Sequence, residues 1–145
     1  MTRRVLVVCA GNICRSPAAA AMLRALAPEI EVRSRGVHDW NAGKRAHPSI
    51  ARLAGQRGYD LSEHVAGQVT TDDLVWADDV LVMDAENQAQ PARRFPRDLV
   101  RSTRLLDPDG IPDPWLVDTD AAYSDCLDHI ERAVRAYIGS LSPST

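Results

Sequence analysis

The stretch Val5-Leu6-Val7-Val8-Cys9-Ala10-Gly11-Asn12-Ile13-Cys14-Arg15-Ser16-Pro17 decides how this chain folds. Its first four residues form a continuous, β-branched-rich apolar run, which suits a strand buried on both faces of a parallel sheet. Ser16-Pro17 then reads as a helix start, because serine is a favoured N-cap and proline is tolerated at the first helical position. The alanine-rich segment Ala18 to Leu26 continues that helix, and Pro28 stops it. Between strand and helix lies a short glycine-bearing loop.

Outward from this unit the same alternation repeats. Ile30 to Ser34 alternates apolar and polar residues and predicts a second strand. A loop follows from Gly36 to Gly43, carrying His38, Asp39 and Trp40. A helix is predicted from about Pro48 to Arg57, with Gly58 as its C-terminal stop. Asp79 to Met83 reads as a third strand, a short helix should begin at Ala85, and Val100 to Leu106 reads as a fourth strand. Asp107 to Trp115 holds three prolines and a glycine and must be a loop. Leu127, Ile130, Val134 and Tyr137 or Ile138 recur at helical spacing, with Gly139 ending that last helix. The expected fold is α/β in three layers: a four-stranded parallel sheet with helices on both faces and an anion-binding loop after the first strand. Ligands of such sheets bind at the carboxyl ends of the strands, here beside Cys9 and Met83.

Composition bounds the rest. The chain has 145 residues and shows no repeat or linker, so one domain over 1–145 is expected. A net charge of -3 gives no sign of the basic face of a nucleic-acid protein. No apolar run approaches the ~18 residues needed to span a bilayer, and Val5 to Val8 is too short for a secretory signal. A cytoplasmic protein without membrane insertion is expected. Three cysteines, Cys9, Cys14 and Cys126, are an odd number, which argues against a disulfide framework and leaves room for a reactive thiol. No second cysteine–histidine cluster accompanies Cys9 and Cys14, so neither metal nor cofactor is expected.

The chemistry concentrates in residues 9–16. A helix N-terminus favours an anion, because unpaired N–H groups and the positive helix end point toward it. Five residues between Cys9 and Arg15 can curl round a tetrahedral oxyanion, so that successive N–H groups of Ala10, Gly11, Asn12, Ile13 and Cys14 form a nest. Gly11 and Asn12 both tolerate a left-handed backbone. The same field favours the thiolate of Cys9, the nucleophilic form. Arg15 offers planar, bidentate donors to phosphate oxygens, and Ser16 can hydrogen-bond the sulfur. A leaving group needs a proton donor, and Asp113, between two prolines and next to Trp115, is the best candidate.

The run from Val7 to Pro17 resembles the signature of the low-molecular-weight protein tyrosine phosphatases, and the similarity extends over essentially the whole chain. Asp113-Pro114-Trp115 resembles the acid loop of that family. The resemblance implies a metal-free reaction through a phosphocysteine. It makes Cys9 the nucleophile, Arg15 the phosphate clamp and Asp113 the general acid and then base. It adds Asn12, Ser16, Ser34 and His64 as a bracing network, Trp40 as an aromatic wall and Cys14 as a redox partner of Cys9, while Trp115, by its place beside Asp113, can shield the site and contact an aromatic leaving group. Cys126, on an apolar helix face, reads as core. The chain departs from the family pattern at Arg35, usually alanine, at Gly67, commonly arginine, and at Trp115-Leu116, where tyrosines are frequent. The compact length and the stretch from Gly43-Lys44 to Pro48 look bacterial, which implies a phosphotyrosine protein as partner, such as a tyrosine kinase of capsule or exopolysaccharide export. A protein-arginine phosphatase shares the loop but typically has threonine where this chain has Ile13. Arsenate reductases share the fold but use further cysteines near the third strand, and 84–98 contains none.

Overall fold

The computed structural model describes residues 2–141; Met1 and residues 142–145 of the expected domain lie outside the described residues. The elements run β1 (Arg4–Cys9), α1 (Arg15–Leu26), β2 (Glu31–Gly36), α2 (Pro48–Gln56), α3 (Thr71–Trp76), β3 (Asp79–Val82), α4 (Ala85–Arg94), α5 (Arg97–Val100), β4 (Thr103–Leu105), a 3-10 turn (Pro114–Leu116) and α6 (Asp120–Ser140). The strands form one parallel sheet in the order β2-β1-β3-β4.

Strand β1 is central and buried on both faces, and its period of two sends alternate residues into two cores. Val5, Val7 and Cys9 pack with Leu81 and Met83 against α1, α2 and α6, in a layer that includes Met22, Leu23, Ile50, Leu127 and Ile130. Leu6 and Val8 pack with Val80 and Val82 on the opposite face, against Leu74 of α3 and the partly buried Phe95, Leu99 and Val100. The expected three-layer arrangement is therefore present. All four strands point their carboxyl ends the same way, which gathers the segments after β1, β3 and β4 along one edge.

Several boundaries differ from expectation. Helix α1 begins at Arg15 with Cys14 as its cap residue, so Ser16 is not an N-cap and its hydroxyl turns to Cys9 instead. Helices α3 and α5 were not anticipated. The first is closed by a capping box: Asp73 N donates to Thr70 Oγ1 at 3.1 Å and Thr70 N donates to Asp73 Oδ2 at 3.0 Å. The second takes Val100 out of the fourth strand, which shrinks to Thr103–Leu105. Gly139 does not end α6, which continues to Ser140, whereas Gly58 does follow α2 with φ +88°. Among the described residues no helix is long and apolar enough to cross a membrane.

Candidate active site

Strand β1 delivers Cys9 to the carboxyl edge of the sheet, and residues 10–14 turn back into α1. Asn12 sits at the apex with φ +58°, the left-handed conformation expected of it. Its side chain is buried and fully engaged. Nδ2 donates to Ser16 Oγ and to Ser34 Oγ, both at 2.7 Å, and Oδ1 accepts from Gly67 N at 3.0 Å. The Asn12 carbonyl is 2.7 Å from His64 Nε2. A carbonyl only accepts, so that ring nitrogen carries the proton. Burial lowers the pKa of His64 despite this bond, with Arg24 and Arg35 nearby adding to the lowering. Hydrogen bonds thus join Asn12 to Ser16, Ser34 and His64, the four residues that the resemblance groups together.

Two close approaches support the loop from below and from the side. A Cβ at Gly36 would lie 3.0–3.2 Å from His38 O, Asn12 Cβ and Ala10 O, so a larger residue at the end of β2 would have to push two backbone oxygens aside. At Gly11 a Cβ would meet Asn41 Nδ2 at 2.6 Å, the same atom that donates to Gly11 O.

Cys9 is buried, and its Sγ lies 3.0 Å from Ser16 Oγ. Arg15 is only 2% exposed. Its NH1 donates to Asp84 Oδ2 and to Ile111 O, both at 2.8 Å, while its NH2 is 3.6 Å from Asp113 Oδ2. Burial opposes the charge of Arg15. Cys9, the Asp84 hydrogen bond and Asp113 outweigh burial and raise its pKa, so the guanidinium stays a cation. Across the pocket, Asp113 Oδ1 accepts from Trp115 N at 3.0 Å, which leaves Oδ2 as the oxygen toward Arg15.

These groups enclose a pocket of about 240 Å³ lined by residues 9–15 with Trp40, Asn41, Asp113 and Trp115. The two indoles are exposed and stand at its mouth. Ser16 lies behind Cys9 rather than on the wall, and Ser34 and His64 brace the loop from its far side. Of the two thiols on the lining, Cys14 is pushed up by burial, with Cys9 and Asp113 adding to the rise, so it stays protonated at neutral pH. Cys126 is core, its pKa pushed up to about 12 by burial. Among the described residues no group of three or more acidic, histidine or cysteine side chains could hold a metal ion.

Three participants escaped the sequence reading. Asp84 was legible in part, since it follows β3 at the carboxyl edge. Asn41 and Gly36 carried no separate signal. The departures at Arg35 and Gly67 prove to be neighbours: a Cβ at Gly67 would sit 3.9 Å from Arg35 Cδ. Arg35 Nε donates to the buried Asp73 at 3.1 Å, so a guanidinium from β2 anchors the start of α3 beside the Gly67 segment.

The family model for low molecular weight phosphotyrosine protein phosphatase matches residues 4–144. The chain is 36% identical over 140 residues to the probable low molecular weight protein-tyrosine-phosphatase EpsP of Ralstonia nicotianae, covering 95% of each. The crystal structure of the Erwinia amylovora tyrosine phosphatase AmsI superimposes with a TM-score of 0.90 at 30% identity, over 99% of this chain and 95% of that one. The tyrosine phosphatase Wzb of Escherichia coli K30, in complex with sulphate, gives a TM-score of 0.89 at 30% identity over 98% and 100%. With its matching fold, strand–loop–helix motif and full-length similarity, the chain belongs to the low molecular weight phosphotyrosine protein phosphatase family.

Proposed function

We propose that the protein hydrolyses phosphotyrosine in proteins through a phosphocysteine intermediate at Cys9. The observation that carries this reading is the convergence of Cys9, Arg15 and Asp113 on one pocket with two indoles at its mouth. Phosphate oxygens bind the N–H groups of residues 10–14 and the Arg15 guanidinium. Cys9 Sγ attacks phosphorus in line, the bond to the tyrosine oxygen breaks, and Asp113 Oδ2 gives that oxygen its proton. Asp113, now a carboxylate, takes a proton from water as the water oxygen attacks phosphorus. The sulfur–phosphorus bond breaks, and Ser16 Oγ, 3.0 Å away, receives the departing thiolate as a hydrogen-bond donor. Arg15 strengthens both transition states by bidentate contact, and Asp84 with Ile111 O holds it in place.

Trp40 and Trp115 flank the phosphorylated ring, and Ile13 on the lining favours tyrosine over arginine as the phosphate bearer. Residues 1–145 act as one catalytic domain, a reading supported by the span of the family match. The sulphate complex of Wzb involves the same class of tetrahedral oxyanion. The protein works in the cytoplasm on a phosphotyrosine protein, such as a tyrosine kinase of exopolysaccharide or capsule export. The test is hydrolysis of aryl phosphates and of phosphotyrosine and phosphoarginine peptides by wild type, Cys9→Ser and Asp113→Ala. Cys9→Ser should be inactive, and Asp113→Ala should lose most on poor leaving groups. Full activity in Cys9→Ser, or a clear preference for phosphoarginine, overturns the reading.

A further inference from the structure

We propose that His47, Tyr123 and Asp118 form a positioning relay that sets the distance between the Asp113 loop and the phosphate-binding loop. It rests on the reading of Asp113 as proton donor. None of the three lines the pocket, and none belongs to the bracing network around Asn12.

The relay starts on the phosphate-binding loop. His47, the cap residue of α2, donates its backbone N–H to Ile13 O at 2.8 Å. Its Nδ1 accepts from Ser49 N at 3.2 Å, which places the ring proton on Nε2. Nε2 lies 3.3 Å from Tyr123 Oη, and the two rings stack with centroids 4.9 Å apart. Tyr123, in the first turn of α6 and only 1% exposed, donates its hydroxyl proton to Asp118 Oδ1 at 2.6 Å. Asp118 is the last link. It adopts φ +56°, and its N–H donates to Pro114 O at 2.9 Å, closing the 3-10 turn that starts after Asp113. Asp113 caps that same turn through Trp115 N. Donors and acceptors therefore run unbroken from Ile13 to the turn that carries Asp113.

Packing alone does not hold this turn. Trp115, Leu116 and Val117 are 58%, 80% and 65% exposed, so only Ile111 and Pro114 anchor the loop by burial. The far end runs through Thr119 straight into α6, and the Tyr123–Asp118 bond sets how the turn sits against that helix, while His47 carries the link across to Ile13. A loop released from the relay keeps its carboxyl group but samples positions from which Oδ2 misses the leaving oxygen.

The experiment compares kcat/KM for p-nitrophenyl phosphate, a good leaving group, with phenyl phosphate, a poor one. Asp118→Gly keeps the left-handed backbone at no steric cost and removes the side chain with its carboxylate, and Tyr123→Phe and Asp118→Asn below control for the added backbone freedom of glycine. It should lower kcat/KM for phenyl phosphate about tenfold, a fraction of the 10²–10⁴ that a general acid supplies, and leave p-nitrophenyl phosphate within about threefold. Inhibition by inorganic phosphate should not change, because the nest and Arg15 are untouched. Asp118→Asn, which retains an acceptor oxygen, should recover most of the loss. Tyr123→Phe keeps the stacked ring and should reproduce the Asp118→Gly pattern. Equal losses on both substrates, or none, while Asp113→Ala shows the leaving-group dependence, would refute the relay. If Asp113→Ala itself lacks that dependence, the proton-donor reading falls and the relay with it.

Discussion

Asn12 is the most connected side chain of the loop, and its replacement gives a worked test of how the loop is held. Asn12→Ala deletes three hydrogen bonds, two buried ones to Ser16 and Ser34 and a part-buried one from Gly67. At about 1 kcal/mol net each, the loss is about 3 kcal/mol. Alanine must also sustain φ +58°, a conformation that costs an ordinary residue about 1–2 kcal/mol. The sum, about 4–5 kcal/mol, is a large share of the 5–15 kcal/mol typical of a domain of this size. Asn12→Gly loses the same three bonds but adopts the backbone freely, so it should cost about 3 kcal/mol. Urea unfolding of the two variants separates the side-chain contribution from the backbone contribution. Inhibition by inorganic phosphate should weaken in both, since the N–H groups of the nest lose their support. If alanine proved no worse than glycine, or if both lay within about 1 kcal/mol of wild type, Asn12 would not be the residue that organises the loop.

Gly36→Ala forces a methyl against two backbone oxygens and Asn12 Cβ. It should destabilise the protein by about 1–3 kcal/mol, seen in the urea midpoint, and depress activity, whereas Gly11→Ala displaces only the flexible end of Asn41 and should be milder. Because burial holds the pKa of His64 below its ordinary 6.5, the unfolded chain takes up a proton that the folded chain refuses. The stability from this group is whole above about pH 6.5 and declines from there down to the folded pKa. Melting temperature should therefore fall more steeply below pH 6.5 in wild type than in His64→Gln; parallel curves would count against it. Iodoacetamide at neutral pH should label Cys9 before Cys14 or Cys126, whose thiols burial keeps protonated, and inorganic phosphate should slow that labelling. Earlier modification of Cys126, read by mass spectrometry, would contradict the assignment.

What could be read in the chain, and what could not, follows the range of the interactions. The unit from Val5 to Leu26 was legible because its parts are local: a strand, a left-handed Asn12 and a helix start within one short window. The five-residue spacing of Cys9 and Arg15 is a property of that window alone. Asp113 was visible through its Pro-Asp-Pro-Trp setting, and Ser34 and His64 only through resemblance. Helix α3 was missed although Thr70 and Asp73 stand at capping-box spacing, because six residues are too few for an apolar period to show. The misplaced start of β4 has a similar cause, since α5 has a single turn and no buried residue.

By itself the sequence determined the alternation of strand and helix, the tight turn after β1 and the thiol and guanidinium at its two ends. These depend on neighbours a few positions apart, whose backbone preferences are set residue by residue. Only the tertiary structure decided what holds those groups in register. Arg15 meets Asp84 and Ile111 across 69 and 96 positions, Asn12 meets Gly67 across 55, and Tyr123 meets His47 across 76. The parallel order β2-β1-β3-β4 brings these separate carboxyl-end segments to one edge. No local pattern encodes such pairs, because their energy appears only when the sheet has closed and burial removes the water that would otherwise satisfy them.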